Sequence, residues 1–107
     1  MYAQVTKVEA SPAKLDTATH FFRQQVLPQL QQLDGFEGFV ALGDRQKGKL
    51  LSVVLWKSEE VMQSTKDVVS RIRGGIPHAP GGAVVDVENY VVCIFEVSLS
   101  SESAKTP

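Results

Sequence analysis

The sequence is short of most features that would announce a chemistry. It holds one cysteine, Cys93, so no disulfide can close within the chain, and a reducing compartment, the cytoplasm, is the expected location. That cysteine and the two histidines are scattered, which argues against a metal site of ordinary ligand spacing. Charge of one sign is also missing: the net charge is -1 and the pI about 6.1. Without a basic stripe, neither nucleic acid nor an anionic membrane is an expected partner. No uninterrupted apolar run approaches the roughly 20 residues of a membrane helix. Residues 1–10 alternate and lack the apolar stretch of a signal peptide. Gly81-Gly82 leads into a strand and not into a lysine-bearing helix, so it does not read as a phosphate-cradling loop.

What is present reads as one domain. The chain has 107 residues, 43% hydrophobic and 21% charged, the composition of an ordinary globular protein. Residues 1–99 are expected to form the domain and 100–107 a polar tail, with no repeats and no linker. Tyr2 to Glu9 reads as a strand. Ser11-Pro12 follows as an N-cap hydroxyl and a first-turn proline. Leu15, Ala18, Phe22, Val26, Leu30 and Leu33 then recur at helical spacing. Pro28 inside that stretch predicts a kink, or an early end with a fresh turn after it. Asp34-Gly35 closes the helix.

Phe36 to Gly43 and Lys49 to Lys57 read as a hairpin across the polar stretch Asp44 to Gly48. Ser58 caps a second helix with Glu59 and Glu60 in its first turn. Its buried stripe is Val61, Met62, Thr65, Val68, Val69 and Ile72. Ile76 to Gly82 reads as a loop, and a last strand is expected from about Ala83 to Ser98. The order β-α-β-β-α-β matches a ferredoxin-like α+β fold, with both helices on one face of a four-stranded antiparallel sheet.

The strands do not alternate as a half-solvated sheet should. Leu51, Val53 and Leu55 share one parity of the third strand, while Leu50, Val54 and Trp56 share the other. In the last strand Val85, Val87, Val91, Cys93, Phe95 and Val97 oppose Val84, Tyr90, Val92 and Ile94. Two helices cover one face only. Each large apolar side chain left wet on the other forgoes roughly 1.5–3 kcal/mol. The expected remedy is a homodimer through the helix-free face, with the last strand as its main contributor and Cys93 as a buried small hydrophobe.

The run Gly35-Phe36-Glu37-Gly38-Phe39, Asp44 in the hairpin, and Trp56-Lys57-Ser58-Glu59-Glu60 at the strand-to-helix junction carry a resemblance. Over residues 2 to 97 the chain resembles the antibiotic biosynthesis monooxygenase (ABM) group of the dimeric α+β barrel superfamily. The resemblance implies a dimer with facing sheets and a pocket between sheet and helices, lined by Trp56. The group contains cofactor-independent quinone-forming monooxygenases, haem-degrading enzymes and many proteins without an established activity. In the haem-degrading branch an asparagine on the first strand and a histidine on the second helix accompany the tryptophan. This chain has Thr6 and Lys66 near those positions, and an ammonium is a poor ligand for haem iron, so no cofactor is expected and haem least of all.

The functional expectation is an ABM-like, cofactor-independent monooxygenase acting on a small aromatic or quinol-type substrate. The alternative is a non-catalytic dimer of the same fold that binds a small ligand or an interaction partner. The candidate pocket is Trp56, Phe22, Met62, Thr65, Arg23 and Thr6. Thr65 is the polar residue of the second helix's stripe and is expected to bond its own helix carbonyl. Arg23 borders the first helix's stripe, within reach of an anionic substrate. Weaker candidates are His20, expected on a solvated face, Lys66, His78 in the Pro/Gly loop, and Asn89 among the valines of the last strand.

Overall fold

The computed structural model describes residues 1–9, 11–74 and 83–98. His78, the loop around it and the polar tail from residue 99 lie outside them. Strands β1 (Tyr2–Glu9), β2 (Phe36–Asp44), β3 (Lys49–Trp56) and β4 (Ala83–Val91) pair antiparallel in the order β2-β3-β1-β4. The first crossover holds a 3-10 turn (Pro12–Lys14), α1 (Leu15–Phe21), a π-helical turn (Phe22–Val26) and α2 (Leu27–Gln31). The second holds α3 (Glu59–Ser64) and α4 (Lys66–Gly74). This is the expected ferredoxin-like α+β arrangement, with the helices on one face.

The first helix resolves the problem set by Pro28 with a π turn. Proline has no N–H to give the carbonyl four residues back, and its ring crowds that carbonyl. The widened turn precedes it, and the Leu27 N–H reaches the Phe22 carbonyl, five residues back. The apolar positions Ala18, Phe22, Val26 and Leu30 are spaced by four throughout, and all four are buried. In a regular α-helix each such step drifts by about 40°, so the π turn also keeps these side chains on one line. Ser11 departs from expectation: its carbonyl, not its hydroxyl, takes the first bond, from the Lys14 N–H at 2.8 Å. Ser58 caps as expected, its hydroxyl accepting from the Val61 N–H at 3.2 Å.

Two glycines are required by the backbone. Gly35 closes the first crossover at φ 84°, and a Cβ there would collide with a Val61 methyl. Gly48 closes the hairpin at φ 66°. In that turn Asp44 Oδ1 accepts from the N–H groups of Gln46 and Lys47, so the turn presents Arg45 in a fixed frame.

Register assigns the two faces. Gln4, Thr6 and Val8 pair with Val54, Ser52 and Leu50, and these point toward the helices together with Trp56 and with Phe39, Ala41 and Gly43 of β2. Val5, Val53 and Val40 lie side by side on the helix-free face, with Leu51, Leu55 and Leu42 beside them. Val40 and Leu42 are 43% and 51% exposed.

The last strand corrects two expectations. It ends at Val91, and residues 92–98 leave the sheet with a single further backbone bond, Val92 N–H to the Met1 carbonyl. A register shift opposite Lys7/Val8 then places Val87, Asn89 and Val91 on the covered side and Asp86, Glu88 and Tyr90 on the helix-free side. β4 therefore brings charge, not aliphatic surface, to the open face. Lys7, Glu88 and Tyr90 form a bonded group there. Cys93 lies beyond the strand and is exposed, not buried.

Candidate functional site

Among the described residues, one pair of rings between helices and sheet separates an inner cavity from an outer cleft. Phe22, buried on the π turn, stacks on Phe39 of β2 with centroids 6.3 Å apart and planes at 30°. On the inner side lies a cavity of about 20 Å³, space for about one water. Its floor is polar: Gln4, Thr6 and Ser52 are all buried. Val26, Leu30, Val69 and Ile72 roof it. Among the described residues these three polar side chains make no hydrogen bond to one another, and all three line the cavity.

On the outer side lies a cleft of about 690 Å³ between α1 with its π turn and the outer half of the sheet. This volume is in the range of small-molecule sites. Phe22, Phe39, Leu15, Leu27 and Leu50 make its apolar walls. Arg23, Thr19, Asp16 and Arg45 make its rim. Thr19 is spent on its own helix, donating to the Leu15 carbonyl at 2.9 Å. Arg45 reaches from the hairpin turn to Asp16 Oδ1 at 2.6 Å and ties the turn to the helix across the mouth. The Arg45 guanidinium holds the Asp16 carboxyl below its ordinary range through that hydrogen bond and then through charge attraction; Arg45 is raised reciprocally. Asp16 is thus anionic and occupied, a poor general base.

The predicted site residues divide. Phe22 and Arg23 line the cleft, and Thr6 lines the inner cavity. Trp56 lines neither. It is 0% exposed at the end of β3, meets Phe36 edge-on at 6.2 Å, and its indole N–H has no partner among the described residues. The physical reason is the bulge that sets Phe36 opposite Trp56 and closes that corner with a ring. Met62 packs in the same core. Thr65 donates to the Val61 and Met62 carbonyls, as expected, where α3 breaks from α4. His20 and Lys66 are exposed and line neither space. Asn89 faces the covered side opposite Gln4 and is exposed, so it does not lie on the helix-free face.

Sequence reasoning missed Phe39, Asp16, Arg45, Gln4 and Ser52. Two of these carried a signal. Leu50-Ser52-Val54 and Gln4-Thr6-Val8 interrupt the covered parity with polar residues, and a polar residue at a buried parity needs a partner. Asp16 and Arg45 are 29 residues apart, and no spacing rule joins them.

Among the described residues no three His, Cys, Asp or Glu side chains gather as metal ligands. No helix among them is long and apolar enough to cross a membrane.

The four-stranded antiparallel sheet with helices on one face is the fold of antibiotic biosynthesis monooxygenase-like proteins. The haem degrader MhuD of Mycobacterium tuberculosis, solved with two haems bound, superposes with a TM-score of 0.65 at 17% identity, over 91% of this chain and 100% of that one. The monooxygenase ActVA-Orf6 of Streptomyces coelicolor, in complex with Nanaomycin D, gives 0.64 at 13% identity, over 90% and 92%. SnoaB, a cofactor-independent oxygenase of Streptomyces nogalater, gives 0.62 at 8% identity, over 88% and 94%. No family model matches the chain. In sequence, the uncharacterized protein Rv2557 of Mycobacterium tuberculosis is 30% identical over 104 residues, 97% of this chain and 46% of the relative. The chain spans about half the length, or less, of the curated relatives it matches.

Proposed function

We propose that this chain is a homodimeric, ABM-like monooxygenase that oxidises a small flat aromatic or quinol-type substrate in the cleft without metal, flavin or haem. The observation that carries this reading is the stacked Phe22–Phe39 pair forming the wall of a 690 Å³ cleft with arginine at its rim. A flat ring laid against that wall gains dispersion and excludes water from its face. An anthrone-type methylene and one dioxygen give a carbonyl and one water, so the substrate supplies all four electrons and no redox group is needed. The protein's part is to favour the substrate anion, which reacts with oxygen, and a guanidinium in a partly apolar cleft does so by charge. SnoaB and ActVA-Orf6 lend support as oxygenases of the same fold.

Haem fits these residues poorly. Lys66 stands exposed near the position where the resemblance sets the haem-degrading branch's histidine, and among the described residues neither space is lined by a histidine, cysteine, methionine or tyrosine that could hold haem iron. The helix-free face, with Val40 and Leu42 exposed and Ile94 85% exposed just beyond β4, is the surface for the second copy. A cytoplasmic location suits an exposed, free Cys93.

One observation favours a second reading, a dimer that binds a ligand without turnover: the carboxylate in the cleft is Asp16, already paired. Oxygen uptake with anthrones and quinols separates the two. The oxygenase reading expects uptake by the wild type and a loss of about tenfold or more when Phe39→Ala removes the stacking wall. No uptake across the panel would overturn it.

A further inference from the structure

The rim of the cleft is lopsided in charge. Two arginines, Arg23 and Arg45, line it against one carboxylate, Asp16. The guanidinium of Arg45 has five N–H donors, and among the described residues it makes one hydrogen bond, to a single oxygen of Asp16. Arg23 enters no ion pair among the described residues. A guanidinium presents its donors as a planar fork that matches a carboxylate in bidentate geometry. Two such forks stand at the mouth of a cleft whose depth is aromatic and aliphatic. We infer that the cleft selects an aromatic anion, a fused-ring carboxylate or enolate, with the ring on Phe39, which the buried Phe22 backs, and the anionic group held by Arg23 and Arg45. This rests on the cleft being the ligand site, as proposed above, but not on any turnover there.

In this arrangement Asp16 holds the position of the ligand's own anionic group. Its charge opposes an incoming anion, and its contact occupies Arg45 until one arrives. A neutral ligand can accept a hydrogen bond from either arginine but gains nothing from the attraction of opposite charges. Salt should weaken the anion's binding, because both arginines are open to solvent.

The test is anaerobic binding of naphthoate and its neutral isostere naphthamide, followed by calorimetry, so that catalytic competence plays no part. The wild type should prefer the acid by roughly tenfold, and Arg23→Gln with Arg45→Gln should erase that preference while leaving naphthamide unaffected. Asp16→Asn should tighten naphthoate by roughly two- to fivefold and leave naphthamide unchanged. All three side chains are exposed, so the variants should fold, and circular dichroism of each variant is the check. Equal affinity for acid and amide in the wild type, a preference that survives loss of both arginines, or weaker naphthoate binding in Asp16→Asn would each overturn the inference. An absence of oxygen uptake alongside an intact acid preference would overturn the oxygenase reading alone.

Discussion

Each face of the sheet departs at its centre from what its surroundings suggest. The face covered by helices carries Gln4, Thr6 and Ser52 at its centre, all buried. The uncovered face carries Val5, Val53, Val40, Leu51, Leu55 and Leu42. A lone sheet would place polar groups outward and aliphatic ones under the helices. The two departures ask for different partners: about one water among Gln4, Thr6 and Ser52, and a second apolar surface for the β2/β3 side of the open face.

Substitutions can break this contrast, and the largest effect is expected at Trp56. Trp56→Ala on the covered face should lower stability by about 3–5 kcal/mol in urea denaturation, the range for truncating a fully buried large aromatic. Next comes Val53→Glu at the middle of the open face. It should raise the dimer dissociation constant by roughly a hundredfold or more, giving a folded monomer in light scattering at micromolar concentration. A wild-type monomer under those conditions would refute the pairing of the open faces. On the covered face, Thr6→Val with Ser52→Ala should be neutral or stabilising by about 1 kcal/mol, since polar groups around a one-water cavity are replaced by apolar ones. A loss of stability would show that their hydroxyls serve the fold and not a ligand.

The smallest effect concerns Lys7, Glu88 and Tyr90 on the β1/β4 side of the open face. Lys7 first, then the Tyr90 hydroxyl, holds the Glu88 carboxyl below its ordinary range. Glu88 in turn raises both Lys7 and Tyr90. A depressed carboxyl contributes stability that is present above its unfolded-state value and is lost as pH falls through the folded one. The raised Tyr90 and Lys7 contribute below their unfolded-state values and lose it as pH rises through the folded ones. The melting temperature should therefore sag below the ordinary glutamate range and again above the ordinary tyrosine and lysine ranges. The shifts should be a few degrees at most for such exposed groups, and absent in Glu88→Gln.

The architecture was legible because strands and helices leave periodic marks. β1, the Gly35 turn, the hairpin and the Ser58 cap stand where alternation, glycine and capping chemistry place them. The run Ala18-Phe22-Val26-Leu30, with Pro28 inside it, held the signature of a π turn in its strict spacing of four, where a kink, or an early end with a fresh turn, was the expectation. The last strand misled because its valines continue past Val91. Parity cannot reveal the register shift at Lys7/Val8 that turns Glu88 and Tyr90 outward. The site was half legible. Phe22 and Arg23 line the cleft and Thr6 the inner cavity, but Arg45 and Asp16 meet only when the hairpin folds over α1. Trp56 was given the pocket by resemblance, and the ring of Phe36 closes it off.

The most direct test of this division of labour is a backbone NMR titration of the wild-type protein with naphthoate. Perturbations should gather at Arg23, Phe39, Gly43 and Arg45, with Val5, Val40 and Val53 unmoved. Shifts centred on the open-face valines, or dissociation of the dimer on adding ligand, would contradict it.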